Sequence, residues 1–175
     1  RWHSPPKLRA CAPAIAIAGA YGLAMTRVRK GNEKNAYALL LNSRPTAVHL
    51  KRALDRVMFV PAEDSLAEAI KIHEEDVQIN KALGAHGAAL LPNPCSVYHH
   101  CNTGTLATGG WGTALGIVRS AERLDRPVHV WVGETRPYLQ GARLTAWELM
   151  TDGVPCTLVP DSMAATLMAR KRLDA

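Results

Sequence analysis

The sequence predicts an α/β fold in which a helical part is followed by a parallel sheet. Apolar residues recur at helical spacing through the first half, whereas the second half alternates short β-branched runs with helical segments. Successive strands begin roughly 30 residues apart with a helix between each pair, which is the period of a doubly wound parallel sheet. We place the boundary at the Pro-Asn-Pro of residues 92–94, giving a helical N-terminal domain over 1–93 and an α/β domain over 94–175.

Three helices are predicted in the first domain, over residues 14–28, 46–58 and 62–90. The apolar face of the second helix is expected to contain Val48, Leu50, Leu54 and Val57. The core-facing residues expected in the third helix are Leu66, Ile70, Val77, Ile79 and Leu83. Because glycine is a poor helix former, Gly84 and Gly87 are expected to end or break this third helix.

The second domain is predicted to contain three strands, over residues 96–99, 128–132 and 156–159. The helices predicted after these strands cover residues 105–124, 141–151 and 163–172. A parallel sheet of three strands would expose an apolar edge, so residues 173–175 are interpreted as the approach to a fourth strand. We therefore expect a chain that is truncated at its C-terminus and comes from the middle of a longer protein.

The composition excludes several classes of protein. The 175 residues are 47% hydrophobic and 21% charged, which is typical of a folded globular chain without a membrane-spanning segment. The net charge of +6 comes from dispersed basic residues and only 5% of residues are aromatic, so neither nucleic acid nor a membrane is an expected partner. A phosphorylated small molecule would account for the positive charge equally well. Four cysteines without a Cys-x-x-Cys pair indicate the reducing cytoplasm.

Polar residues follow each predicted strand, at 99–104, 133–137 and 160–162. Ligands of open parallel sheets bind at the carboxyl ends of the strands, so the three loops together predict a pocket. The backbone N–H groups of residues 103–105 would begin a helix, where an anion can bind. Each loop also has a purely structural interpretation: a turn or cap, an ion pair between Glu134 and Arg136, or capping of its helix by Asp161.

Cys101 is the strongest single candidate for chemistry. A cysteine at a strand-to-helix turn has its thiolate stabilised by the helix N-terminus, so it can act as an acid, a base or a nucleophile. The alternative is a small buried apolar residue, as most free cysteines are. A metal is not expected, because His99 and His100 are adjacent in a strand and point to opposite faces.

Motifs that form a recognisable set extend along nearly the whole chain, at residues 12–15, 43–48, 75–80, 101–108, 112–116, 134–149 and 161–165. The most specific run begins with Glu134-Thr135-Arg136-Pro137 and ends with Trp147-Glu148-Leu149. Together these motifs resemble the S-methyl-5-thioribose-1-phosphate isomerase family, which is related to translation initiation factor 2B subunits.

The resemblance implies an aldose–ketose isomerase of methionine salvage, which converts 5-methylthioribose 1-phosphate into 5-methylthioribulose 1-phosphate without a cofactor. It also implies a helical N-terminal domain followed by a Rossmann-like domain, and a homodimer. Cys101 matches the family's catalytic cysteine, which moves a proton. The substrate-binding residues that the resemblance implies are Arg44, Gln140, Ala10, Cys11, Ala12, Asn102, Gly104 and Arg136.

The chain departs from the family pattern at two places. The family's Arg-Gly-Ala-Pro is Ala-Cys-Ala-Pro over residues 10–13, so a substrate-binding arginine is missing there. The family's catalytic aspartate belongs to a Gly-Ala-Asp motif expected just after Ala175, and Asp161 is a different position. We therefore expect this chain alone to be inactive.

Two other functions remain open. A ribose 1,5-bisphosphate isomerase would share the fold and the cysteine, but would need a basic pocket in place of an apolar one. A regulatory subunit of the translation initiation factor 2B type would use the same architecture for assembly without catalysis. The presence of both Cys101 and Gln140 favours an enzyme over this subunit.

Overall fold

The computed structural model describes residues 12–175, and for Ala12 only the backbone. The residues Ala10 and Cys11, which the resemblance assigns to substrate binding, lie outside the described part of the chain, as does the side chain of Ala12. Contacts divide the chain into two compact units, one formed by residues up to 78 with 107–109, the other by residues 79–106 with 110–175. Independent domains over 1–93 and 94–175 stay a prediction.

The first unit is built from helices packed around α1 (Ala12–Val28). It also contains α2 (Glu33–Ser43), α3 (Val48–Phe59), a 3₁₀ turn (Ala62–Asp64) and the first half of α4 (Ser65–Leu90). The core between α1 and α3 includes Ile15, Leu23, Leu50, Leu54 and Val57, all fully buried. The three helices predicted in this part of the chain are confirmed, with ends shifted by a few residues.

Helix α2 was not predicted, because it lacks the apolar periodicity on which the sequence argument relied. None of its residues is buried. Its signal is at the N-terminus, where the Asn32 side chain accepts a hydrogen bond of 3.0 Å from the backbone N–H of Asn35. A side-chain acceptor at this position stabilises the otherwise unpaired first turn of a helix.

The predicted apolar faces are wrong at several positions. Val48 is 76% exposed, and the buried face of α3 is Leu50, Ala53, Leu54 and Val57. Four of the five residues predicted to face the core from α4 are instead exposed: Leu66, Ile70, Ile79 and Leu83. The residues that α4 buries are mostly small or polar: Ser65, Ala69, Ile72, Asn80, Gly84 and Ala88. Small side chains let a helix approach its neighbours closely, and this close packing outweighs the size of the apolar residues.

Gly84 and Gly87 do not end α4, which continues to Leu90. A Cβ atom on Gly84 would lie 2.7 Å from the carbonyl oxygen of Gly116, and one on Gly87 would lie 2.6 Å from the Ile117 side chain. Both glycines are therefore close-packing positions in the second unit, where any larger residue would push the neighbouring segment away.

The second unit is formed around a three-stranded parallel sheet, β1 (Cys95–His99), β2 (Val128–Gly133) and β3 (Cys156–Val159), in the order β1-β2-β3. Its helices are a 3₁₀ turn (Thr105–Ala107), α5 (Ala114–Glu122), a π-helical turn (Gly141–Thr145) that leads into α6 (Ala146–Asp152), and α7 (Met163–Ala169). The α/β fold with a parallel sheet is confirmed. The predicted helix over 105–124 is interrupted, because its middle is rich in glycine and Gly112 adopts a φ of +88°.

The last residues of the chain run along the free edge of β1, as the sequence predicts. Asp174 N–H donates to the Ser96 carbonyl at 2.7 Å, and Tyr98 N–H donates to the Ala175 carbonyl at 3.0 Å. Strand β1 thus has β2 on one edge and residues 174–175 on the other. The connection after β3 reverses direction across β1, which makes the carboxyl end of β1 a topological switch point, where open α/β sheets bind ligands.

None of the helices within residues 12–175 has both the length and the apolar character that crossing a membrane requires.

Candidate active site

The three polar loops that follow the strands lie together at one end of the sheet. The Cys101 N–H, after β1, donates to the Thr135 hydroxyl, after β2, at 2.8 Å. The N–H groups of Thr135 and Arg136 each donate, at 2.8 Å, to a different oxygen of the Asp161 carboxylate, after β3. A chain of hydrogen bonds therefore connects all three strand ends, which confirms that the loops share one site.

Asp161 connects these loops instead of capping its own helix. Hydrogen bonds from the N–H groups of Arg136 and Thr135 hold the pKa of the Asp161 carboxyl below its ordinary value. Within residues 12–175 no ion pair joins Glu134 to Arg136, so the structural alternative for that loop is also wrong. The Arg136 side chain is exposed beside the loop that follows β1.

Cys101 is held in a left-handed backbone conformation, with a φ of +69°. A non-glycine residue in this region is uncommon, and the conformation costs about 1–2 kcal/mol because Cβ approaches the following carbonyl. Two threonines hold it there: the Thr135 hydroxyl accepts from Cys101 N–H, and the Thr145 hydroxyl donates to the Cys101 carbonyl at 2.5 Å. The side chain is half-buried at the switch point.

A buried carboxylate, Glu148 on α6, fixes the loop that follows Cys101. Glu148 is 3% exposed and accepts hydrogen bonds from the Asn102 side-chain amide at 2.9 Å and from the Thr105 N–H at 2.7 Å. A Cβ atom on Gly104 would overlap with the Glu148 carboxylate, so only glycine permits this approach. The expectation that the turn over 103–105 binds an external anion is therefore wrong at Thr105, because the anion there is the protein's own.

Arg119 on α5 neutralises Glu148. Its guanidinium lies 2.8 Å from a Glu148 oxygen, and it also contacts Asp152 and donates to the Trp111 carbonyl. Burial alone would raise the pKa of Glu148, but hydrogen bonds from Arg119, Asn102 and Thr105 outweigh burial and hold the pKa below its ordinary value. Glu148 is thus ionised inside the protein.

Sequence reasoning missed the supporting residues Thr135, Thr145, Glu148 and Arg119. The first three lie inside the motif run over 134–149, which the sequence analysis recognised without assigning them a role. A carboxylate between Trp147 and Leu149 in a helix was the available signal, because a buried acidic residue needs a partner.

His99 at the end of β1 is buried, whereas His100 is exposed, which confirms that they face opposite ways. One ring nitrogen of His99 bonds the Thr103 hydroxyl at 2.8 Å, and Nδ1 has no hydrogen-bond partner among the described residues. Burial, followed by the neighbouring His100, lowers the pKa of His99 to about 4. Within the described part of the chain, no three His, Cys, Asp or Glu side chains are grouped so that they could hold a metal ion.

The predicted substrate residues are distributed over both units. Arg44 follows α2 in the first unit, and Gln140 precedes the π-helical turn in the second. Both side chains are half-buried. Asn102 and Gly104 contact Glu148, as described above, and Arg136 is exposed. Substrate binding by these residues stays a prediction.

A model of the initiation factor 2 subunit family matches residues 9–175. The chain belongs to this family. Among curated relatives, it is 50% identical to the methylthioribose-1-phosphate isomerase of Alcanivorax borkumensis, over 94% of this chain and 51% of the relative. It is 51% identical to the same-named protein of a Thermus thermophilus strain, over 94% of this chain and 50% of the relative. The chain thus spans about half the length of the curated relatives it matches.

Two solved structures of this initiation factor 2 subunit fold are similar to the chain. The 5-methylthioribose 1-phosphate isomerase of Pyrococcus horikoshii superposes with a TM-score of 0.85 at 37% identity, over 95% of this chain and 52% of that one. The translation initiation factor eIF-2B subunit delta of A. fulgidus superposes with a TM-score of 0.81 at 40% identity, over 94% and 54%. The fold alone therefore does not separate the two functions.

The left-handed conformation of Cys101 predicts an unusual order of stability among its variants. Cys101→Gly should be about 1 kcal/mol more stable than Cys101→Ala, because glycine adopts a positive φ without steric cost. Urea unfolding of the chain measures the difference. The matched control is Cys156 in β3, where glycine should be the less stable of the two variants. An alanine variant at 101 as stable as the glycine variant would contradict the backbone conformation.

Replacing the buried carboxylate is expected to destabilise the second unit strongly. Glu148→Gln should lower the free energy of unfolding by about 3 kcal/mol, since it leaves the Arg119 guanidinium without its buried counter-charge. Glu33→Gln, which removes a more exposed carboxylate from Arg27, is the control and should cause a much smaller loss. Chemical unfolding of both variants tests this, and equal losses would refute the role assigned to Glu148.

His99 predicts a loss of stability in mild acid. Its pKa is about 4 in the folded chain against 6.5 as the ordinary value, so the unfolded chain binds the proton more strongly. Stability is then fully present above pH 6.5 and falls as the pH drops towards 4, by about 3 kcal/mol.

The test is unfolding free energy as a function of pH for the wild type, His99→Gln and the exposed control His100→Gln. Only His99→Gln should flatten the profile between pH 6.5 and 4. A profile that stays steep in His99→Gln would show that another group causes the acid sensitivity.

Proposed function

We propose that this chain is part of an aldose–ketose isomerase that converts 5-methylthioribose 1-phosphate into 5-methylthioribulose 1-phosphate in methionine salvage. The observation that carries the proposal is Cys101, fixed in a left-handed conformation at the switch point of the sheet. Identity of about half to curated relatives that bear this enzyme's name, over 94% of the chain, supports the choice of substrate.

In this proposal Cys101 transfers a proton between C2 and C1 of the sugar. Moving one hydrogen within the substrate and shifting the carbonyl from C1 to C2 leaves the reaction redox-neutral, so the proposal includes no cofactor. A positioned acid or base of this kind accelerates a reaction by about 10²–10⁴-fold. Burial of the loop by Glu148 and the two threonines limits the movement of the sulfur.

Arg44 and Gln140 complete the proposed site. A guanidinium can bind a phosphate with two parallel hydrogen bonds, which suits Arg44 to the substrate phosphate. The Gln140 amide can both donate to and accept from sugar hydroxyls. Arg136, exposed beside the Cys101 loop, is a second candidate for the phosphate. The proposal includes Asn102 and Gly104 as the backbone that closes the loop around the substrate.

We extend the proposal to a homodimer in the cytoplasm that acts on a small molecule and not on nucleic acid or a membrane. Three cysteines in the described residues, Cys95, Cys101 and Cys156, are free, which fits a reducing compartment. The dispersed basic residues fit a small phosphorylated substrate better than a polyanion.

A second candidate function is supported by the likeness to the translation initiation factor subunit of A. fulgidus. A regulatory subunit would need the fold but no reactive cysteine, so it would tolerate any small residue at position 101. A ribose 1,5-bisphosphate isomerase would need Cys101 but would select a second phosphate over the methylthio group.

Turnover by the full-length protein separates these functions. With 5-methylthioribose 1-phosphate and ribose 1,5-bisphosphate offered side by side, we expect the former to be converted with the higher kcat/KM. Cys101→Ser should lower kcat by about 10²-fold or more, because a serine hydroxyl is a far weaker acid than a thiol. Cys156→Ser is the control and should retain wild-type kcat. Unchanged turnover in Cys101→Ser would remove Cys101 from the mechanism, and preference for the bisphosphate would support the rival isomerase.

A further inference from the structure

The two threonines that contact Cys101 form hydrogen bonds that a role in packing alone does not explain. Thr145 is completely buried and Thr135 is 6% exposed, and at such positions an apolar residue of the same shape, valine, would avoid burying a hydroxyl. Both hydroxyls are instead directed at the backbone of one residue, on its two sides.

The Thr135 hydroxyl has a defined direction. It donates to the Gly133 carbonyl at 3.2 Å, which leaves its lone pairs to accept from the Cys101 N–H at 2.8 Å. Thr135 itself has a φ of +61°, which is rare for a β-branched residue, and its N–H is held by Asp161 at 2.8 Å. Strained backbone of this kind persists only where several contacts hold it, and such residues cluster at functional sites.

The Thr145 hydroxyl acts on the other peptide group of Cys101. It donates to the Cys101 carbonyl and accepts from the Asn102 side-chain amide at 3.3 Å. Thr145 closes the π-helical turn over Gly141–Thr145, and such turns inside helices occur frequently at functional sites. The same Asn102 amide bonds Glu148, so this hydroxyl belongs to the buried network that fixes the loop.

We infer that Thr135 and Thr145 are positioning residues, which clamp the peptide groups before and after Cys101 and thereby set the direction of its thiol for proton transfer. Fixing both peptide groups fixes φ and ψ of Cys101, and these determine the direction of the Cα–Cβ bond. The inference rests on the proposed function for its catalytic consequence, but the clamp itself does not.

The first test measures the thiol directly on the 175-residue chain. N-ethylmaleimide labelling of each cysteine is followed by peptide mass spectrometry in Thr135→Val, Thr145→Val, Thr135→Ser and Thr145→Ser. The valine variants should label Cys101 at least threefold faster than wild type, since the loop is released, whereas the serine variants, which keep the hydroxyl, should stay within twofold.

Two controls separate the clamp from general loss of structure. Thr157→Val removes a hydroxyl that bonds His129 instead of the Cys101 loop, and it should leave Cys101 labelling unchanged. Buried Cys95 reports unfolding, and its labelling should not rise in any variant used. If one valine variant unfolds, the other threonine still tests the clamp, and Thr→Ala at the unfolded position provides a second attempt without the added methyl.

The second test measures catalysis in the full-length protein. Thr135→Val and Thr145→Val should each lower kcat by at least 30-fold with KM within threefold of wild type, because a displaced catalytic group loses rate more than substrate affinity. The corresponding serine variants should recover kcat to within threefold. A merely structural role would instead alter stability without this split between kcat and KM.

The outcomes distinguish the two proposals. If Cys101→Ser abolishes turnover but both valine variants keep wild-type kcat and labelling, the positioning role is overturned and the proposed function stands. If the protein does not isomerise either sugar phosphate, yet the valine variants release Cys101 to labelling and serine restores it, the clamp stands and the proposed function fails. Serine variants as impaired as valine would overturn the role of the hydroxyls.

Discussion

The Glu148 carboxylate is the interaction on which the rest of the site depends. It is buried and ionised, and it holds an arginine from α5 and the loop after β1 to the same point on α6. A buried charge without partners would cost several kcal/mol, so each of its contacts must form together with the others. The loop that carries Cys101 is consequently not free to adopt the conformations that an exposed turn would sample.

The sheet topology explains why this loop is the one that matters. Residues 174–175 and β2 lie on opposite edges of β1, so the carboxyl end of β1 is where connections leave the sheet in two directions. That opening is the general ligand site of open α/β folds. Cys101 stands at this point in a strained conformation, with Thr135 and Thr145 bonded to its two peptide groups. Proteins with this fold bear different functional names, so the local chemistry, not the fold, has to decide the function.

Sequence patterns predicted the elements well and their faces poorly. The strands appear within one residue of their predicted ends, since short β-branched runs between turns have few alternatives. Helix α4 was predicted at nearly its full length, but its large apolar residues turn outwards and its small ones inwards. Periodicity finds the helix, whereas the packed face depends on which neighbours approach closely, as the glycines at 84 and 87 demonstrate.

For the site, the sequence by itself determined the position of Cys101 at a strand end, the three polar loops that share one edge of the sheet, and the family. These follow from local patterns, because the order of strands and loops is written along the chain. Only the tertiary structure decided that Asp161 joins loops, that Glu148 occupies the turn predicted to bind an external anion, and that two hydroxyls hold the cysteine. Those contacts join residues 25 or more positions apart, and no local pattern specifies which distant partner satisfies a buried polar group.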